Sequence, residues 1–167
     1  MDNKTRDRQI YSPLRLAVRP TQTTKIKWMT AISIKQPWAF FIAQGAKTIE
    51  TRIWTSDYRG PILICASKSP DREAMEFFDE QITPEAKKMM KATLGKAVAT
   101  AEIVNWRKMI FADEEKALCG WNPKLYAIQL VNTLEIRNPF PVRGKLKLFQ
   151  VKIPNGVQFR KPKKAKG

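Results

Sequence analysis

The chain has 167 residues, 43% hydrophobic and 28% charged, enough for one domain with tails and a core of its own. Its 31 Lys and Arg against 15 Asp and Glu leave a net charge of +16 and a pI near 10.1, a balance that suits a polyanionic partner. Histidine is absent and the two cysteines, Cys65 and Cys119, are far apart without CxxC spacing, so the commonest general base is missing and neither a metal site nor a cofactor is expected.

Residues 1–28 carry seven basic and two acidic side chains, Pro13 and Pro20, and no sustained hydrophobic period. A basic, loosely attached extension is expected over 1–29, with Met29 a candidate alternative start. The N-terminus lacks the apolar region of a signal peptide, and no run reaches the ~18–20 apolar residues of a membrane span, so a cytoplasmic protein away from membranes is expected.

The first patterned segment, Ala31 to Ile34, reads as a strand. Pro37 suits the first turn of a helix, Trp38, Phe41 and Ile42 make its apolar stripe, and Gly45 closes it. Residues 48–54 read as a half-buried strand, "SDYRG" as a turn, and Pro61 to Ala66 as a fully buried strand. Two capped helices are expected between 68 and 94, the first opening on "SPDRE" and the second on "TPE". A strand over 96–106, a short helix over 112–120 stopping at Gly120, and strands over 125–136 and 145–153 follow, the last two joined through "RNPFPVRG". Both cysteines fall among apolar neighbours and read as buried free thiols. The last eleven residues, "VQFRKPKKAKG", hold five basic side chains and no acidic one, a basic C-terminal tail. The pattern predicts an α+β fold: a small mixed β-barrel or curled sheet of about five or six strands with short flanking helices, the 68–94 insert lying across one opening.

The stretch "GAKTIETR" (45–52) bears on function. Alternation places Thr48, Glu50, Arg52 and Trp54 on one face and Ile49, Thr51 and Ile53 on the other, the isoleucine face being the core candidate. Lys47, at the passage from helix cap to strand, can reach the same mouth as Glu50. Two readings stay open on spacing alone. Glu50 and Arg52 form a surface ion pair worth at most ~1 kcal/mol, or a cation, a carboxylate and a guanidinium converge on a ligand.

The ordered series QPWA, G-x-K-T-x-E-x-R, W and Y-R-G-P running to A-S-K (32–68), with "GWNPKLYAIQLVNTLEIRNPFPVRGKLKLFQV" (120–151), closely resembles the ASCH-domain family, whose fold is PUA-like. The resemblance places the domain at 30–153 and leaves 154–167 as the tail; Phe149 stands where many members carry tryptophan. It implies a cationic cleft for single-stranded or modified RNA, or for a nucleoside. Lys47, Glu50 and Arg52 would line it, with Lys35, Gln36, Ser67 and Lys68 at the rim. Trp38, Trp54 and Trp121 are the aromatics available to stack on a base. Some members resemble acetylcytidine amidohydrolases or ribonucleases, which makes a hydrolase using Lys47 and Glu50 the alternative. Glu50, however, occupies the place of the amidohydrolases' threonine nucleophile. The basic tails suit added contact with RNA phosphates or association with a ribonucleoprotein.

Overall fold

A computed structural model describes residues 28–163. They form β1 (Trp28–Ile34), α1 (Trp38–Ala43), β2 (Ile49–Arg52), β3 (Gly60–Ala66), α2 (Arg72–Phe77), α3 (Pro84–Ala92), β4 (Lys96–Lys108), α4 (Glu114–Ala117), β5 (Tyr126–Pro141), β6 (Leu148–Lys152) and β7 (Phe159–Arg160). The readings of residues 1–27 and of the last four residues lie outside the described residues.

The strands join one mixed sheet in the order β2-β5-β4-β3-β1-β6, with β7 also pairing β5. β1 and β3 run parallel, Ile32 opposite Ile64, and the other pairs are antiparallel. The expected five or six strands are therefore seven. The strand path is open from β2 to β6, so the fold is a mixed α+β sheet with short helices, and closure into a barrel is not among its pairings. β7, only two residues long, is too short to carry a period of its own.

β3 is apolar along its buried length because both its faces are covered. Ile62, Ile64 and Ala66 pack with Ile32, Ile34, Ile103 and Ile128 under Ala39 and Ile42 of α1. Leu63 and Cys65 pack on the opposite face with Ala31, Phe140 and Phe149. Each fully buried branched side chain contributes roughly 1.5–3 kcal/mol of hydrophobic free energy. Register shifts recur along the long β4–β5 ladder, between Ala97 and Ala99, Thr100 and Glu102, and Ile103 and Asn105. Such irregularities increase local twist and curl the sheet around its first core.

The helices are set by their caps. Asp71 accepts a hydrogen bond from the Ala74 N–H, and Thr83 from the Ala86 N–H ahead of Pro84. Three local expectations are corrected. β2 ends at Arg52, and Ile53, expected in the core, is 77% exposed because the chain turns out of the sheet before reaching it. α4 stops at Leu118, in the left-handed conformation at φ 54°, ahead of Gly120. Cys65 is buried, but Cys119 is only half-buried.

Candidate functional site

The carboxyl end of β1, α1, β2 and the segment 119–125 surround a cleft of about 800 Å³. Its floor is built from the end of α1 onward. Gly45, at φ 75°, returns its N–H to the Ile42 carbonyl, and Ala46 and Lys47 return theirs to Phe41. This turn sends the Lys47 side chain inward, where it is 2% exposed. The ammonium donates to the Ala117 carbonyl, lies 3.6 Å from Glu50 Oε2, and stands 5.0 Å from the Trp38 ring centre.

β2 is held along β5, Ile49 opposite Gln129 and Arg52 opposite Tyr126. Ile49 points to a small core with Met109, Ala117 and Ala127. Glu50 points the other way, its side chain 9% exposed and backed by Ile32, Ile34 and Ile128. Arg52 Nε lies 3.1 Å from Glu50 Oε1, and Arg52 Nη2 donates to the Ser33 carbonyl at 2.8 Å. The expected Glu50–Arg52 ion pair does form, but it is largely enclosed and not a surface pair, its carboxylate lying between two cations. Ser33 Oγ is a buried atom left without a hydrogen-bond partner among the described residues, and Arg52 Nε, though within ion-pair distance of Glu50, is not aligned to donate to it.

Trp38, Trp54 and Trp121 all line the cleft. The Trp38 indole donates to Asp71 Oδ2 at 3.0 Å, Trp54 leans on Trp106, and Trp121 stacks on Phe111 with ring centres 4.2 Å apart. The Trp38 hydrogen bond holds the Asp71 carboxyl below its ordinary range, helped by the Ala74 N–H and the positive field of Lys35. Burial pushes the Cys65 thiol up to about 12. Cys119 lines the cleft, its sulfur 3.9 Å from the Thr51 hydroxyl.

Of the residues singled out in the sequence, Lys35, Lys47, Glu50, Arg52 and Ser67 line this cleft. Lys68 lines an adjoining hollow instead. Gln36 does not face the cleft. It is 1% exposed, donates to Thr93 Oγ1 at 3.1 Å and accepts from the Phe40 N–H at 2.9 Å. A buried amide needs such partners, and the fold supplies one to each of its polar atoms. Ser33, Asp71, Asn122, Lys145 and Lys147 also line the cleft without having been singled out. Asp71 showed only as an acidic helix start, and an isolated serine or lysine carries no local signal.

Among the described residues no group of three or more His, Cys, Asp or Glu could hold a metal ion, and no helix is long and apolar enough to cross a membrane. The floor offers donors and an acceptor side by side, the walls include indole rings, and Lys35, Lys145 and Lys147 make the rim cationic. Such a site can take a flat, hydrogen-bonding, partly anionic ligand.

A family model described as "ASCH domain" matches residues 32–140. Among solved structures, the chain is similar to ASCH from Zymomonas mobilis, at 15% identity and a TM-score of 0.49, covering 74% of this chain and 87% of that one. A serine-to-alanine mutant of the same bacterial protein matches at 14% identity and 0.49, with the same coverage. A tyrosine-to-phenylalanine mutant matches at 14% and 0.49, covering 74% and 89%. No curated protein matches the chain.

Proposed function

This chain belongs to the ASCH-domain family, and on that premise we propose that its cleft binds a nucleoside unit of single-stranded or modified RNA. The observation that carries the reading is the convergence of Lys47, Glu50 and Arg52 on the floor of a hollow walled by Trp38, Trp54 and Trp121. A base presents a stacking face and an edge of donors and acceptors, and that lining complements both. A cleft of about 800 Å³ accommodates a splayed nucleotide and not a duplex. The net charge of +16 adds attraction to phosphates that is blind to sequence and weakened by salt. In this reading the protein works in the cytoplasm, the curl of the β4–β5 ladder belongs to a PUA-like barrel, and the basic tails add contact to RNA or a ribonucleoprotein.

The test is a tryptophan-fluorescence titration with single-stranded and duplex RNA of equal length. Single strands should bind at least about tenfold more tightly, and Trp121→Ala should weaken them by about 1–3 kcal/mol, the worth of one stacked base. Equal affinity for the duplex would overturn the reading.

A hydrolase is the second reading, favoured by the 3.6 Å approach of Lys47 to Glu50 on a concave floor. Against it, Lys47 already donates to Ala117 and Glu50 already faces two cations, so both groups are occupied in positioning each other. Incubation with acetylcytidine or RNA, read by mass spectrometry, separates the two. Turnover that Glu50→Gln abolishes in a folded protein would establish the hydrolase.

A further inference from the structure

The cleft continues past Ser33 into a second hollow of about 490 Å³, and Ser33, Lys35, Ser67, Lys145 and Leu146 line both. The second hollow adds Lys68, Arg143 and the hydroxyl of Ser69, and no carboxylate lines it. The contrast with the cleft is one of charge balance. In the cleft Glu50 faces Lys47 and Arg52. In the second hollow Lys35, Lys68, Arg143 and Lys145 have no ion-pair partner among the described residues. A third hollow, behind α1, differs again, because its Glu135 is already paired with Arg160 at 2.6 Å.

The second hollow is built on fixed backbone. β1 and β3 run parallel and end side by side, and the Ser67 N–H donates to the Ile34 carbonyl. Gly95 N–H then donates to Ala66, and Val142 N–H to Gly95, which ties the loop after β5 to the end of β3. The stem of Lys68 lies over Gly95, where an added Cβ would come within 3.2 Å of it. Gly144 passes so close to Ser33 that a Cβ there would sit 2.5 Å from the hydroxyl oxygen. That hydroxyl, buried and without a partner among the described residues, stands where the two hollows meet.

Resting on the reading of the cleft as a nucleoside site, we infer that the second hollow holds a phosphate attached to that nucleoside, so that the unit recognised is a nucleotide. Four cations gathered in a hollow that no carboxylate lines repel one another, Asp71 of the adjoining cleft offsetting only Lys35, and a phosphate relieves that repulsion while accepting hydrogen bonds from the serine hydroxyls. Lys35 and Lys145, shared by both hollows, stand where the sugar would pass from one to the other.

The experiment compares the four ribonucleosides with their 5′- and 3′-monophosphates, by tryptophan fluorescence, on the full chain and on Lys68→Ala/Arg143→Ala. At least one monophosphate should bind about tenfold more tightly than its nucleoside, and the double variant should cut that advantage to about threefold or less while nucleoside affinity holds. Raising the salt concentration should shrink the advantage further. Nucleosides that bind as well as both monophosphates would overturn the inference and leave the reading of the cleft intact. An advantage unchanged in the double variant would also overturn it, by seating the phosphate elsewhere. Binding of neither class would remove the cleft reading and the inference together. Circular-dichroism melts of the double variant confirm that its fold is kept; should it melt early, Lys68→Gln and Arg143→Gln are read singly by the same criteria.

Discussion

The indole N–H of Trp38 donates to Asp71 at 3.0 Å, and the same carboxylate caps α2 by accepting from Ala74 at 3.1 Å. One side chain thus fixes a cleft wall and starts a helix. Its folded-state pKa lies below the ordinary 3.8, so its contribution to stability is fully present above that value and is lost as the pH falls through the lower, folded one. Carboxyl NMR of Asp71 should show a midpoint below 3.8. In Trp38→Phe, which removes the largest cause of the shift, the midpoint should move back up.

Glu50 is the sole carboxylate within 4 Å of Lys47 and Arg52 among the described residues. Glu50→Gln strands a buried ammonium, and removing one partner of a buried pair costs about 3–5 kcal/mol. Urea unfolding should show a loss toward the lower figure, since Arg52 keeps some access to water and its bond to Ser33. Lys68→Ala, on a less enclosed side chain, should stay within about 0.5 kcal/mol of the unchanged protein.

The two thiols should separate cleanly. Cys65 is enclosed and its thiol is held at about 12, whereas Cys119 lines the cleft. N-ethylmaleimide at neutral pH should give one adduct, on Cys119, and a second only after denaturation. RNA that occupies the cleft should slow the first adduct; labelling unaffected by bound RNA would argue that the RNA lies elsewhere.

Gly144→Ala should be destabilising because the new Cβ meets Ser33 Oγ at 2.5 Å. Overpacking of this kind costs about 1–3 kcal/mol. Adding Ser33→Ala removes the obstructing oxygen, so the double variant should recover most of the lost melting temperature. A double variant no better than Gly144→Ala alone would locate the cost elsewhere in the loop.

Periodicity and caps reveal most of this fold in advance. The helix ahead of Gly45, the apolar run to Ala66 and the helix start at Thr83 are where local rules put them, whereas the first helix buries Ala39, Ile42 and Ala43 with Trp38 and Phe41 only half-buried, and the start expected at the Ser-Pro pair falls at Asp71. Local rules miss what long-range pairing decides. Pro139 and Pro141 read as a break, yet β5 continues through them to meet β4 again at Ala97, because a register shift absorbs the residues after Glu135. Gln36 sits between the rim candidate Lys35 and Pro37, and only its partners Thr93 and Phe40 mark it as a structural residue. Lys47, Glu50 and Arg52 were legible together because they are close in sequence. Asn122, Lys145 and Lys147 reach the same cleft from segments seventy or more residues away.

The wall behind Glu50 is the isoleucine layer of the central core, with Ile32, Ile34, Ile62, Ile64, Ile103 and Ile128 directly at its back. In the proposed reading recognition and folding share one partition, and a change on that partition is felt on both sides. Retuning the proposed selectivity leaves little freedom at positions 47, 50 and 52, where variants that lose affinity should also lose shape. The freedom lies at Lys35, Ser67, Lys145 and Lys147, whose replacement leaves the partition standing. A directed library confined to those four positions should yield folded proteins with altered preferences, whereas one aimed at the floor should yield mostly aggregates.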